Sequence, residues 1–431
     1  MMDWQISVIL IFGFFVLLAV PGLWVAMALG VGGIIAMVFI PRAQPQVIAN
    51  VLWTLSTNFT LTAIPLFLLM GEFIIESGVS KRFYRGVAKY IRNIPGGMLL
   101  SNIVACGIFS AISGSAPATA AAIGGVAIPE LDALGYRKRY TYGSILGGGT
   151  LGILIPPSLA LIIYGSLTGL SVVQLFAAAL IPGIVLCLIY MAYIVLLGIT
   201  RRKEFANIKW DYYETVGHGE ALASILPMVI MIATVLGTLY AGVVTPTEAA
   251  AVGALMALII GKVFGSLNFK LFWKACNKAV RTTTMILFII FGANIFSYVM
   301  SISGATIQIV TWLTDLNLST VALLFMVYLI YILLGLFLEG IAMQFLTLPV
   351  LFPVMMAYGF DGIWFGIVLV ILIQIGLVTP PVGMNLFIVK GISKDAKMSE
   401  IIIGALPYIV CMLLMLMILT FFPQLTAIFR I

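Results

Sequence analysis

From residue 5 to residue 424 the chain is a succession of twelve long apolar stretches, at 5–20, 22–41, 51–77, 95–135, 138–166, 173–200, 221–242, 246–264, 282–302, 317–358, 362–389 and 400–424. A helix needs about 20 apolar residues to cross the hydrocarbon core of a bilayer. Hydrophobic residues make up 63% of the chain and charged residues 9%, against roughly 45–50% and about 25% in soluble domains. No aqueous fold hides that much apolar surface, so the solvent must be lipid. Disorder, nucleic-acid binding and cytosolic enzymology are excluded together. The predicted fold class is an all-α polytopic membrane protein.

The least apolar interval, 201–220, reads as a solvated linker. Four stretches are broken. The interval 95–135 is interrupted at Ser113-Gly114-Ser115-Ala116-Pro117 and 317–358 around Glu339-Gly340. Both are long enough to enter the membrane and return, so they read as re-entrant hairpins. The stretches 138–166 and 362–389 are broken by Pro156-Pro157 and Pro380-Pro381. Proline withholds a donor and frees the carbonyl one turn back. Unwound backbone survives at membrane depth only inside protein or beside a polar cavity.

Charge placement fixes the orientation. With ten crossings and each hairpin returning to its own side, 20 of the 22 Lys and Arg residues fall on one side and only Arg42 and Arg430 on the other. By the positive-inside rule that basic side is cytoplasmic, so both termini face outward. The net charge of +7 is thereby a topology signal. The Met-Met-Asp3-Trp4 start has no basic n-region, so the first apolar stretch is expected to remain in the mature protein.

Shifting the chain by 224 residues brings Pro129 onto Pro353, Ala133 onto Ala357, Gly135 onto Gly359, Gly152 onto Gly376 and Pro156-Pro157 onto Pro380-Pro381. With a drift of one residue, Pro21 falls on Pro246. Five crossings per half insert the second copy from the opposite face. The expected domains are a first inverted repeat at 1–200, the linker at 201–220 and a second repeat at 221–431. Secondary transporters use this design, with binding at the midplane between broken helices.

The residues offer several kinds of chemistry. Ser113, Ser115 and Thr119 at the first tip, with Thr150, Ser158 and the carbonyls freed before Pro156, suit a small hard cation held by oxygens. Half-helix N-termini suit an anion. The competing reading is that Gly, Ser and Ala simply allow close helix packing. Glu339, at a tip near mid-depth, reads equally as a proton or sodium site or as a buried hydrogen-bonded acid. Glu72, Glu76, Glu130 and Glu248 read as capping or interfacial. The segments 79–93 and 266–281 carry basic stripes that read as helices lying on anionic lipid, with docking of a partner as the alternative. Cys106, Cys187, Cys276 and Cys411 show no CxxC spacing, and the sole histidine is His218, in the linker. No catalytic residue, cofactor or metal beyond a coupling ion is expected, and the chain reads as a non-enzyme. There is no phosphate-loop motif, so transport must draw on an ion gradient.

Four phrases are distinctive: SGSAPATAAAIGGVAIPEL at 113–131, ILGGGTLGILIPPSLALIIYG at 145–165, VVTPTEAAAVGA at 243–254 and GLVTPPVGMNLFIVKGI at 376–392. Through them almost the whole chain resembles the large membrane subunit, DctM, of tripartite ATP-independent periplasmic (TRAP) transporters. The resemblance implies sodium-driven uptake of an organic anion across the bacterial inner membrane by an elevator motion. It also implies two partners, a periplasmic substrate-binding protein (DctP type) and a small four-helix subunit (DctQ type), the latter expected as a separate chain. A first sodium site carries over to Ser113, Gly114, Ser115 and the 152–157 break, with Gly152, Ile155 and Pro156. A second carries over to Gly340 and the 379–384 break, with Thr379, Pro380, Gly383 and Met384. Geometry nominates Ser115, Thr119, Ser158 and Asn385 for substrate. C4-dicarboxylates, sialic acid, other sugar acids and keto acids all remain open. The alternatives are a stand-alone sodium/dicarboxylate carrier, an intramembrane enzyme and a scaffold.

Overall fold

Backbone N–H and C=O groups in hydrocarbon must bond within their own segment, and the chain meets that demand with helices throughout. The structure, a computed structural model, describes residues 4–19, 22–40, 44–205, 217–316, 318–393 and 395–428. Pro21, Arg42, Lys209, Lys394, Arg430 and most of the expected linker lie outside them.

The apolar stretches become helices whose bounds recur at the same offset as the sequence repeat. Ala116–Ala133 and Gly340–Ala357 start and end 224 residues apart, and Lys138–Thr150 and Gly362–Val378 start 224 apart. Val25–Phe39 and Val79–Ile91 end 224 residues before Pro246–Val263 and Ala305–Asp315. Each expected hairpin is a helix pair joined by a short turn: Met98–Ser113 with Ala116–Ala133, and Thr320–Gly335 with Gly340–Ala357. Each expected broken helix is interrupted at its prolines. The first runs Lys138–Thr150, a 3-10 turn Leu151–Ile153, then Leu159–Thr168; the second runs Gly362–Val378, then Met384–Ile392. Both Pro-Pro bonds are cis.

Among the described residues six helices are long and apolar enough to cross a membrane: Val172–Thr200, His218–Tyr240, Pro246–Val263, Phe269–Ile302, Gly340–Ala357 and Met398–Phe421. A seventh span arises if Gln46–Ser56 and Thr60–Glu76, bent by 59°, count as one. Five of the six, the bent pair, the two broken helices and the shorter Gln5–Leu18 and Val25–Phe39 together make up the ten crossings read from the sequence. Gly340–Ala357 is the extra one, and it is a hairpin arm.

Two groups of helices emerge. Val25–Phe39 packs along Phe269–Ile302, and Ala63–Glu76 along Pro246–Val263 and Phe269–Ile302. In the other group Lys138–Thr150 lies among Met98–Ser113, Ala116–Ala133 and Met398–Phe421, while Gly362–Val378 lies among Val172–Thr200, Thr320–Gly335 and Met398–Phe421. The broken helices are at the centre. Every residue of Gly362–Val378 after the first is buried, as is every residue from 141 to 150. A helix apolar on all sides belongs in such a core. Glycine makes the approach possible: a Cβ on Gly143 would strike the Gly404 carbonyl and one on Gly147 the Tyr408 ring. On the outside, Leu188, Leu196, Ile199, Leu255, Val321 and Phe325 are exposed, as lipid-facing side chains should be.

Three expectations change. The segment 266–281 does not form a separate helix on the membrane surface; from Phe269 it is the first part of one 34-residue helix, Phe269–Ile302. Two of its lysines face protein carboxylates. Lys274 Nζ sits 2.9 Å from Glu76 Oε2, and Lys278 Nζ sits 2.6 Å from Glu76 Oε1 and 3.8 Å from Glu72 Oε2. The i, i+4 lysine spacing that suggests a lipid stripe equally presents both amines to one neighbouring helix. Removing the carboxylate strips charged hydrogen bonds worth about 1.5–3 kcal/mol each. Both lysines are half-exposed and solvent screening discounts that sum, so Glu76→Ala is expected to lower stability by about 2 kcal/mol, read as an earlier thermal unfolding of detergent-purified protein, with Glu76→Asp milder. In Val79–Ile91 the basic stripe is likewise partly spent inside the protein: Arg85 pairs with Glu130 at 2.9 Å, and Arg82 donates to the Phe264 carbonyl at 2.7 Å.

The interval 201–220 is not uniformly a solvated linker. Arg202–Phe205 is a short helix, and His218–Tyr240 already includes 218–220. Glu204 is held by Arg137 at 3.2 Å, Arg201 at 3.3 Å, Arg139 at 3.8 Å and the Tyr140 hydroxyl at 2.9 Å. Partial burial opposes its ionisation, but the Tyr140 hydrogen bond and the three guanidiniums win and hold its carboxyl below the usual carboxylate range. A depressed carboxylate stabilises above the unfolded pKa and loses that contribution as pH falls through the lowered folded value. The clasp accordingly opens only in acid.

Glu248 takes the bland role. It forms a capping box with Thr245, whose N–H donates to Glu248 Oε2 at 2.8 Å while Glu248 N–H donates back to Thr245 Oγ1 at 3.3 Å, the reciprocal satisfaction of two orphan donors at a helix start.

Candidate functional site

Each broken helix needs two prolines for the same reason. Pro156 and Pro157 have no N–H to give to the carbonyls of Gly152 and Ile153, one turn back. Ser158 Oγ donates to the Ile153 carbonyl, which leaves Gly152 without its helical partner. In the second copy Pro380 and Pro381 deprive Gly376 and Leu377. The Thr379 N–H returns to the Gly376 carbonyl at 3.3 Å, so there Leu377 loses its partner.

The first tip closes over the first break. Leu159 N–H donates to the Gly114 carbonyl at 3.2 Å. Gly114 has φ +58°, and a Cβ there would lie 2.8 Å from the Pro157 oxygen. A Cβ on Gly152 would lie 2.5 Å from the Ser115 oxygen and 2.7 Å from Thr119 Oγ1. Ser113 Oγ is 2.6 Å from Thr119 Oγ1 and 3.3 Å from the Ser115 carbonyl. Ser113, Thr119 and Gly152 are buried. Thus Ser113, Gly114, Ser115, Thr119 and Gly152 form one nook lined by hydroxyl and carbonyl oxygens, the ligand type hard cations take. Pro156 is buried in the same break. The Ile155 side chain points away, towards Gly183 of Val172–Thr200, so only its backbone is available to the nook.

The second tip repeats the arrangement more loosely. Val382 N–H donates to the Leu336 carbonyl at 3.3 Å, and Gly335 meets Gly376 so closely that a Cβ on either would lie 2.7 Å from the other's Cα. Thr379 Oγ1 donates to the Ile375 carbonyl at 2.6 Å. Pro380 is half-buried. Gly383, at φ +41°, starts Met384–Ile392. Gly340 abuts Ile373.

Both tips open onto one cavity of about 230 Å³. Gly114, Ser115, Ile153 and Leu159 line it from the first copy, and Glu339, Gly340, Ile373, Leu377 and Met384 from the second. Thr282, Met285 and Ile286 close it from Phe269–Ile302. A neighbouring cavity of about 340 Å³ shares Met285, Glu339 and Met384. The copies also touch at the core: Gln374 Nε2 donates to the Thr150 carbonyl at 2.9 Å, between equivalent positions 224 residues apart.

The electrostatics of the two tips differ. Ser115 and Glu339 are equivalent positions, and each is the N-cap of its hairpin's return helix. Ser115 Oγ accepts from Ala118 N–H at 3.5 Å. The Glu339 carboxylate accepts from Ile341 at 3.1 Å and Ala342 at 3.3 Å. An ionised acid at a cap offsets the positive end of its helix, which a serine cap cannot do. Of the two readings left open for Glu339, the hydrogen-bonded acid is visible in the geometry, and the residue also faces the cavity.

The four residues nominated for substrate separate. Ser115 lines the cavity and Thr119 sits behind it in the nook. Ser158 is fully buried and its hydroxyl is spent on the Ile153 carbonyl and on capping Leu161 at 3.4 Å; it closes the break. Asn385 is fully buried, with both amide atoms lacking a partner, beside the cavity-lining Met384. Sequence reasoning missed Thr282, although the Thr282-Thr283-Thr284 run inside an apolar helix was a signal. It also missed Gln344 and Gln374, both fully buried with unpartnered amide atoms. Such orphans cost about 1–3 kcal/mol each and mark places for water or a ligand. Among the described residues no His/Cys/Asp/Glu cluster could hold a metal ion.

The family description "Tripartite ATP-independent periplasmic transporter, DctM component" matches residues 11–425. The C4-dicarboxylate TRAP transporter large permease protein DctM of Pseudomonas aeruginosa is 34% identical over 398 residues, covering 92% of each chain. The sialic acid TRAP transporter large permease protein SiaM of Vibrio cholerae is 31% identical over 380 residues, covering 86% of each. The isethionate TRAP transporter permease protein DctMQ of Oleidesulfovibrio alaskensis is 34% identical, over 97% of this chain and 66% of its own. Among solved structures the YdaH transporter of Alcanivorax borkumensis superimposes with a TM-score of 0.61 at 14% identity, over 97% of this chain and 99% of that one; the likeness is one of fold.

Proposed function

The chain belongs to the DctM family, a membrane component of tripartite ATP-independent periplasmic transporters, and from that premise we propose that it drives the uptake of a small organic anion with sodium. The curated relatives are transporter permeases and not enzymes. The two halves, 1–200 and 221–431, act as oppositely inserted repeats in a bacterial inner membrane, with both termini periplasmic. A periplasmic binding protein delivers the substrate and a small DctQ-type membrane subunit completes the permease; the DctMQ relative carries both membrane names in one chain. The helix group holding tips and breaks slides against the group built on Val25–Phe39, Ala63–Glu76, Pro246–Val263 and Phe269–Ile302.

The observation that carries this reading is the single cavity shared by two tips with unlike helix caps, a serine at one and an acid at the other. A carboxylate substrate is favoured at the Ser115-capped helix start, where the dipole end is positive. It is disfavoured beside Glu339 unless a cation lies between them, because an unpaired charge out of water is costly. Sodium held at the oxygen nook and near Glu339, Gly340 and the 379–384 break lets the anion enter. The substrate is a carboxylate or sugar acid of a size for this cavity.

Uptake in proteoliposomes containing the chain, its small subunit and binding protein tests the proposal with a panel of labelled acids. One acid is expected to accumulate under an inward sodium gradient and not when potassium replaces sodium. Ser115→Ala is expected to slow it about tenfold, the equivalent of one lost hydrogen bond to a charged group. Accumulation at the same rate without sodium would reject the coupling.

A further inference from the structure

A further cavity, of about 220 Å³, lies away from the tips, between the start of Lys138–Thr150, the end of Val172–Thr200 and the start of Met398–Phe421. Its polar wall is Arg139, Arg201, Tyr140 and Tyr193; its apolar wall includes Leu197, Ile403 and Pro407. Among the described residues the charges around it do not balance: Arg137, Arg139 and Arg201 share the carboxylate of Glu204, three positive charges against one negative. Arg139 Nη2 donates to the Tyr140 hydroxyl at 2.7 Å and its guanidinium carbon lies 4.6 Å from that ring's centre. That leaves Arg139 Nε buried with no partner. The floor is rigid: Tyr408 meets Tyr190 and Tyr193 edge-on at 5.3 and 5.4 Å, and Gly404 presses on the Arg139 backbone. Ile403 of that apolar wall is exposed, as are Leu196 and Leu406, the chain neighbours of the lining Leu197 and Pro407, so the cationic wall adjoins lipid-facing side chains.

We propose that this pocket binds the phosphate group of an anionic glycerophospholipid from the cytoplasmic leaflet. The guanidinium charge in excess among the described residues, the unpartnered Arg139 Nε–H and the Tyr193 hydroxyl match a phosphate's oxygens. The adjoining apolar surface takes an acyl chain. A basic pocket between helices on the cytoplasmic side is where anionic headgroups are held. A soluble phosphate ester would use the cationic wall and leave the apolar one idle.

Native mass spectrometry of the full-length chain in detergent tests this with phosphatidylglycerol, phosphatidylcholine and glycerol 3-phosphate as probes. Phosphatidylglycerol is expected to be retained at least tenfold more strongly than phosphatidylcholine, and the preference to vanish in the Arg139→Gln/Arg201→Gln double variant while persisting in Lys81→Gln. Since both arginines also hold Glu204, Leu197→Trp provides a second variant that fills the pocket and leaves the clasp in place; it too should lose the preference. Equal retention of the two lipids by the wild-type chain, or an unchanged preference in Leu197→Trp, overturns the site. Displacement of the lipid by glycerol 3-phosphate at equal concentration overturns the lipid assignment in favour of a soluble phosphate.

Discussion

Gly152→Ala is expected to reduce sodium-driven uptake by tenfold or more while the protein still reaches the membrane. The added methyl would stand 2.5 Å from the Ser115 oxygen and 2.7 Å from Thr119 Oγ1, inside van der Waals contact, and neither atom is the end of a long flexible chain. Tip and break must therefore move apart. Overpacking of this kind costs about 1–3 kcal/mol, and the displaced atoms are the proposed sodium ligands. The expected signature is a rise in the sodium concentration giving half-maximal uptake, larger than the change in substrate affinity for the binding protein. Gly125→Ala is the control, on the return arm Ala116–Ala133 of the facing hairpin, with open space around its Cβ position. Equal loss in both variants would show that any added bulk on these helices matters and that the nook does not.

Glu339→Gln is expected to have a comparable effect for a different reason. Its amide oxygen can still accept from Ile341 and Ala342, so the helix start is largely preserved; an outright loss of such a cap costs only about 1 kcal/mol. What disappears is the side chain's capacity to carry a negative charge beside the cavity when a cation is bound. The expected result is sodium dependence weakened tenfold or more with thermal stability nearly unchanged, and Glu339→Asp intermediate. Should Glu339→Gln transport with wild-type sodium dependence, the acid is a structural cap alone.

Much of this architecture was legible because it is written in residues with few conformational options. Proline pairs and glycines at fixed spacing announced the breaks and turns, and the 224-residue offset reappears in the helix bounds. The adjacency of the 113–115 tip to the 152–157 break also followed, since small residues at both places permit it. The fate of charges was less legible. Lys274 and Lys278 meet Glu76 and Glu72 across helices far apart in sequence, and no periodicity distinguishes a lysine facing lipid headgroups from one facing a neighbouring carboxylate. Glu204 looked like linker polarity until Arg137, Arg139 and Arg201 were seen around it. Ser158 looked like a binding hydroxyl, but the chain turns it onto its own Ile153 carbonyl. Thr282 lines the cavity from the opposite helix group, a relation set by tertiary packing.

Equilibrium binding of radioactive sodium to the purified chain, compared between wild type and Gly152→Ala, probes the shared oxygen nook without transport, substrate or partner. Saturable binding by the wild-type chain, weakened at least tenfold by the added methyl, is the predicted outcome. Identical sodium binding by both proteins, or none by either, would contradict the assignment of the nook to sodium.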